Sequence, residues 1–229
     1  MNLSINQSSS TLSFIERQNK EREEKDEKLA SGKKINSAAD DPAGLQIATR
    51  LTSQINGYQQ ESANVQDQVN TNNVQESGLG AINESLQRAN VLSIQSGSPL
   101  SDPSAIQGEL DQLTEQINAV AGEILGDPSF LSGLDASDPT TTQAALEDAF
   151  ASVNESASAL GAENNALSSQ ISTYETARVN VSESRSRIED TDYASETSEK
   201  ESLNVILQAA IINKKDEESR KGILINQLV

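Results

Sequence analysis

The chain has no cysteine, no histidine and no tryptophan among its 229 residues, and only one Met, three Tyr and three Phe. Without Cys or His, the usual structural zinc sites, thiol nucleophiles and Ser-His-Asp triads are excluded, along with almost any general base poised near neutral pH. No disulfide framework or thiol chemistry applies either, which leaves the redox compartment unspecified. Basic residues are scarce: 17 Lys and Arg stand against 35 Asp and Glu, a formal net charge of −18. Phosphate contact needs basic surface, so this balance argues against nucleic acid as a partner. Long apolar runs are missing too. Nothing approaches the roughly 18 apolar residues of a membrane span, which predicts no membrane insertion. The opening MNLSINQSSS lacks the basic start and apolar run of a cleavable signal peptide.

What remains is a hydrophobic content of only 34 %. A globule needs a thick core, whereas a rod of helices needs one apolar seam per contact, so the composition leans towards an elongated helical protein. Periodicity supports this. Ile106, Leu110, Leu113, Ile117, Val120 and Ile124 alternate in steps of four and three, with Asp102 as N-cap and Pro103 at the first helical position. From Leu146 the same walk runs through Phe150, Val153, Ala157, Leu160, Asn164, Leu167, Ile171, Tyr174, Arg178, Val181, Arg185 and Ile188, turning polar in places but keeping phase. An earlier seam reads Leu51, Ile55, Tyr58, Val65 and Val69. After a polar patch at Asn70 to Asn73 it resumes with Leu79, Leu86 and Ala89, with Ile82 beside it. Three long helices are predicted, about 44–95, 103–125 and 141–185.

Between them lie Ser96-Gly97-Ser98-Pro99, which closes the first helix, and a tip loop at 126–142 with two Asp-Pro pairs. That loop has room for a small β-hairpin or cap around Phe130 and Leu134. Breaks at 32–44 and 186–195 set off the two ends. Residues 16–28 are almost wholly charged, and Glu16–Lys20, Glu21–Lys25 and Glu24–Lys28 form i,i+4 pairs worth about 0.2–0.5 kcal/mol each. They predict a solvated helix with little to bury, a water-facing or partly disordered arm in the free chain. At the other end Leu203, Ile206, Leu207, Ala210, Ile211, Ile223, Leu224, Ile225 and Leu228 flank a charged island and await another surface.

No catalytic constellation is present, neither a Gly-rich phosphate loop nor a nucleophile elbow, so an enzyme is not expected and no cofactor or metal site is assigned. Asp40-Asp41 and Glu189-Asp190-Thr191-Asp192 are the densest loop carboxylates, and capping explains them better than cation binding.

Taken in order, these pieces resemble bacterial flagellin. LSIN (3–6), KINSAADDPAGLQIATRLTSQINGYQQ (34–60) and LGAINESLQRANVLSIQS (79–96) are similar to that family's N-terminal segments. LGAENNAL (160–167), SRSRIEDTDYASETS (184–198) and ILQAA (206–210) are similar to its C-terminal ones. The resemblance implies a mainly α fold, an elongated antiparallel helical bundle or coiled-coil rod formed by the two halves. Residues 1–34 and 196–229 would be the two arms of an axial coiled coil, and 35–195 the rod. It would be a short form lacking the variable outer surface domains. The implied function is structural: a subunit that polymerises into the flagellar filament for swimming motility. Export would run through the flagellar secretion apparatus without a cleaved signal.

Implied partners are the chain itself, sister flagellins, and the export chaperone, cap and junction proteins. Axial self-assembly falls to Leu203, Ile206, Leu207, Ile211, Ile223, Leu224 and Leu228. Gln87, Arg88, Leu92 and Glu109 match the family surface for subunit packing, which a vertebrate Toll-like receptor also contacts. Neighbouring Asn90 and Ser93 depart from the usual pattern. So does 16–28, where charge replaces a milder apolar seam. Interhelical ion pairs between the arms, or a minor flagellin mixing with a major one, would account for that charge; arms that pack poorly and form filaments weakly are the third account. The alternative function is a hook–filament junction protein of the same architecture, and a cytoplasmic helical scaffold or signalling hairpin stands further off.

Overall fold

The computed structural model describes the backbone of residues 3–226 and the side chains of 12–220. It is all-α, with five helices: α1 (Leu3–Ser31), α2 (Pro42–Ser96), α3 (Pro103–Ile124), α4 (Pro139–Glu189) and α5 (Tyr193–Asn226). Four of them start at an aspartate. Asp41 Oδ1 accepts the N–H groups of Ala43 (3.1 Å) and Gly44 (2.9 Å) ahead of α2, and Asp102 Oδ1 that of Ser104 (3.0 Å) ahead of α3. Asp138 Oδ1 takes the N–H of Thr141 (3.2 Å) at α4, and Asp192 Oδ1 that of Ala194 (3.0 Å) at α5. A carboxylate at this position satisfies orphan N–H groups and faces the positive end of the helix dipole. Pro42, Pro103 and Pro139 follow directly, with the backbone φ already set for a first turn. These caps start α2 and α4 two residues before the expected 44 and 141, and α4 runs on to Glu189 rather than stopping near 185.

The chain divides into two compact units, residues 57–177 and residues 1–56 with 178–229. In the first, segments of α2 and α4 enclose α3. Leu79, Ile82, Leu86, Leu110, Ile117, Leu146 and Val153 are all but fully buried and form its core. Ile82, at 1 % exposure, sits in the middle of this core rather than beside it, because three helices converge there instead of two. Below Leu79 the α2–α4 contact is thinner: Val65, Val69, Leu167 and Ile171 are only half-buried, and Tyr58 stacks on Tyr174 with centroids 6.2 Å apart. At one step the expected seam fails. Arg178 is exposed and Ala177 takes the half-buried place, since a long cation lowers its free energy by reaching water.

The loop after α3 holds no β-hairpin; among the described residues there is no strand. Side chains of α3 hold it instead. Asn118 donates to Leu131 O (2.7 Å) and accepts from Leu131 N (2.8 Å), while Gln107 donates to Leu134 O (2.9 Å) and accepts from Ala136 N (2.8 Å). Two amides thus take the backbone groups a hairpin ladder would have used, and Leu131, Leu134 and Ala136 drop into the core.

In the second unit α1 and α5 pack together. The 16–28 segment is not a free arm: it is helical throughout and paired. Lys33 and Asp190 form an antiparallel bridge at its base, with Lys34 N donating to Glu189 O (2.7 Å) and Thr191 N to Gly32 O (3.0 Å). Gly32 has φ +72°, a conformation that calls for glycine, and a Cβ there would also crowd the Tyr193 hydroxyl at 3.3 Å.

Candidate assembly interfaces

The α1–α5 pair is antiparallel, as its cross-links show. Tyr193 OH donates to Leu29 O (2.8 Å), Lys25 Nζ lies 2.8 Å from Glu196 Oε2 and 2.5 Å from Glu199 Oε2, and Lys200 Nζ lies 2.6 Å from Asp26 Oδ1. The arm therefore uses interhelical ion pairs, with Lys25 reaching across to α5. Burial alone would pull the Lys25 ammonium down, but hydrogen bonds and charge from Glu196 and Glu199 outweigh it and hold it above its usual value. In turn Lys25 holds Glu199 below the ordinary carboxylate range. Such partly exposed pairs contribute about 0–1 kcal/mol each, so they fix register more than they stabilise.

The seam itself is polar at its centre. On α1 it runs Ile15, Gln18, Arg22, Lys25 and Leu29; on α5 it runs Glu196, Lys200, Leu203, Leu207, Ala210 and Lys214. Gln18 Oε1 and Arg22 Nε are buried there without a hydrogen-bond partner, a cost of about 1–3 kcal/mol for each such group. Leu203 is half-buried, and Leu207 (8 % exposed) and Ala210 (9 %) are buried in the pair. Ile206 and Ile211 lie outside it, exposed at 44 % and 48 %. The side chains of Ile223 and Leu224, and Leu228 altogether, fall outside the described residues.

Two residues complete the picture that the sequence reading left out. Val205 and Ile212 are 64 % and 61 % exposed. At 100° per residue they fall on one line of α5, turned away from the Leu203–Leu207–Ala210 face. Their spacing of seven was the available signal. Between 203 and 212, α5 is thus apolar nearly all round, and α1 covers one side only. A helix with this distribution belongs inside a larger packing.

The second surface lies on residues 57–177. Arg88 donates from Nε to Glu109 Oε1 (2.8 Å) and places a terminal nitrogen 2.6 Å from the same oxygen, tying α2 to α3. Gln87 is exposed beside it and donates to Asn83 Oδ1 (2.7 Å). Leu92 does not share this surface. At 3 % exposure it is a core residue, because its position one turn beyond Arg88 rotates it under the α2–α3 contact. In its place Val91 (55 %) and Ile94 (62 %) stand exposed alongside Gln87. Among the described residues no group of three His, Cys, Asp or Glu side chains is placed to hold a metal, and no helix is long and apolar enough to cross a membrane.

Comparison with known proteins agrees with this all-helical layout. Residues 3–136 match the family described as bacterial flagellin N-terminal helical region, and residues 143–213 match the bacterial flagellin C-terminal helical region, with only 137–142 between them. The chain is similar to a flagellin of Halalkalibacterium halodurans, 30 % identical over 226 residues that cover 80 % of this chain and 83 % of that protein. It is 43 % identical over 98 residues to a flagellin of Clostridium tyrobutyricum, covering 42 % of this chain and 26 % of that one. To a flagellin of Salmonella typhimurium it is 41 % identical over 100 residues, 42 % of this chain and 20 % of the other. These matches span about a quarter or less of the Clostridium and Salmonella proteins.

Proposed function

The chain belongs to the bacterial flagellin family, and on that premise we propose that it is a structural, non-enzymatic subunit that polymerises into the flagellar filament and so serves swimming motility. The observation that carries the assembly mechanism is the outward face of α5, where Val205, Ile206, Ile211 and Ile212 are exposed on a helix already covered by α1 on the other side. In a filament, residues 1–34 and 196–229 form the axial layer, and that face packs against copies of the same segment. Contact of this kind is heterologous and does not close, so it repeats without limit. Residues 35–195 form the outer rod, with Gln87, Arg88 and Glu109 among its lateral contacts. The same surface, with Val91 and Ile94, is the one a vertebrate Toll-like receptor would meet. Its further partners are an export chaperone and the cap and junction proteins, and it leaves the cell through the flagellar secretion apparatus.

The test is the double substitution Val205→Glu with Ile212→Glu, sedimented and imaged beside the parent chain. Both side chains point away from α1, so the monomer keeps its circular dichroism while filaments are lost. Filaments from the double variant at the parent's critical concentration would remove α5 from the axial packing. Immunogold labelling along the shaft, rather than only at its base, separates this role from that of a junction protein.

A further inference from the structure

The α1–α5 seam repeats every seven residues: Ile15, Arg22 and Leu29 with Gln18 and Lys25 on α1, and Glu196, Leu203 and Ala210 with Lys200, Leu207 and Lys214 on α5. An apolar heptad seam does not by itself specify how many helices share it, whereas a polar residue inside it does, at a cost in stability. The cross-links at Lys25, Asp26 and Leu29 lie at the base of the pair. Farther along α1 stand Gln18 and Arg22. Gln18 is 9 % exposed; its amide nitrogen donates to Glu21 Oε2 (3.0 Å), while Oε1 is buried with no partner. Arg22 Nε is buried in the same way, although the residue as a whole is half-buried and so partly wet. In an antiparallel pair anchored by Lys25–Glu199 and Asp26–Lys200, these two lie alongside α5 residues 202–208, a stretch without charge. No carboxylate of the seam is spare for the guanidinium, since Glu196 is held by Lys25.

We infer that Gln18 and Arg22 fix the stoichiometry of the arm: they hold it to one α1 and one α5 and keep further arms from opening the seam. In a two-helix pair each seam position has an edge near water, which a long polar side chain can reach. In a bundle of four helices the same positions are enclosed on every side. The amide and the guanidinium would then lose their remaining water and gain no partner. Apolar residues at 18 and 22 would reverse that preference, because enclosure would bury more apolar surface without stranding a polar group. The line of Val205 and Ile212 points away from the seam and is untouched by this limit. A neighbouring copy therefore meets α5 from behind, and the pair itself stays closed. The inference goes beyond the filament reading and does not depend on it.

The test uses the full chain carrying Val205→Glu and Ile212→Glu, so that growth through the outward face is removed and any association has another origin. Adding Gln18→Leu with Arg22→Met makes that part of the seam apolar at similar side-chain length. Light scattering after size exclusion should then give a discrete species of two chains where the background gives one. Amide exchange of 203–214 should slow by at least about tenfold as the two orphan groups disappear. Adding Gln18→Asn with Arg22→Lys instead keeps the seam polar, and should leave a single chain with exchange no slower than in the background. An apolar-seam variant that stays a single chain, or whose α5 exchanges faster, would overturn the inference. A two-chain species in the polar-seam variant, or in the background itself, would overturn it too. Filaments from the background would count against the outward face of α5 alone, and the two seam variants are then compared on the subunits left in solution.

Discussion

Leu110 and Leu167 both occupy apolar seam positions, and the structure assigns them very different weights. Leu110 is fully buried where α2, α3 and α4 converge, whereas Leu167 is half-buried where only α2 and α4 meet. Leu110→Ala removes three carbons from water-free surroundings, a transfer loss of about 2.4 kcal/mol at ~0.8 kcal/mol per carbon. The cavity left in this core adds to this, for a total of about 3–4 kcal/mol. Leu167→Ala keeps roughly half the transfer loss, because half the side chain is wet already, and opens no closed cavity. It should cost about 1 kcal/mol. For a unit of residues 57–177, about 3–5 °C of melting temperature per kcal/mol separates the two, roughly 10–15 °C against 3–5 °C. Thermal circular dichroism of dilute monomer reads the difference, and amide exchange of α3, which lies wholly in this unit, localises it. Equal losses, or a loss under about 1 kcal/mol for Leu110→Ala, would mean that the three-helix core is placed wrongly.

Two further substitutions probe the joints. Asp40 Oδ2 accepts the N–H groups of Ser37 (2.8 Å) and Asn36 (3.0 Å) and the Ser37 hydroxyl (3.1 Å). These bonds, that of the Ser37 backbone foremost, hold its carboxyl below the ordinary carboxylate range. A depressed folded value means the stabilisation is complete above the unfolded pKa and is lost as pH falls through the folded one. Asp40→Asn should therefore lower the urea midpoint at pH 7, by a gap that narrows as pH falls through the depressed folded pKa; a gap that does not narrow in acid would show that the carboxylate's charge plays no part. At Gly78, a Cβ would sit 2.5 Å from Ile124 Cγ1 and 2.8 Å from its Cδ1. Gly78→Ala should then lose about 1–2 kcal/mol despite its helix propensity, and Ile124→Ala should recover most of that in a double-mutant cycle; simple additivity would refute the contact.

Much of this was legible in the sequence, and particular residues show why. The 106–124 seam and its Asp102-Pro103 start were readable because a short amphipathic helix puts its pattern and its cap within one window. Charge on both arms pointed to interhelical pairs, which the structure forms at Lys25 and Asp26. Ile82 was set beside the seam because a heptad reading assumes two helices, and a third helix widens the buried arc to take in neighbouring positions; Leu92 was put on the surface by family resemblance alone, which carries no information on burial. The loop after α3 was open to a hairpin reading because its backbone partners, Gln107 and Asn118, are side chains on an exposed-looking stripe of another element. Asn72, in a stretch that reads as a polar patch, is 1 % exposed and accepts at Oδ1 from Gln68 Nε2 (3.0 Å). No periodicity marks a buried amide.

The two proposed interfaces constrain each other in magnitude. Val205, Ile206, Ile211 and Ile212 each have about half of a side chain left to bury, so the outward face of α5 offers about 1 kcal/mol apiece, roughly 4 kcal/mol per copy. Association at micromolar concentration requires about 8 kcal/mol beyond the entropy of immobilising a subunit. These four residues alone are therefore too weak to hold a polymer, and the remainder has to come from other contacts, those of the sequence after residue 220 and of residues 57–177 among them. That last unit carries 17 Asp and Glu and a single Lys or Arg, a net −16. Its contacts have to be made against the mutual repulsion of those carboxylates, so they need more apolar and hydrogen-bonding surface than a neutral unit would.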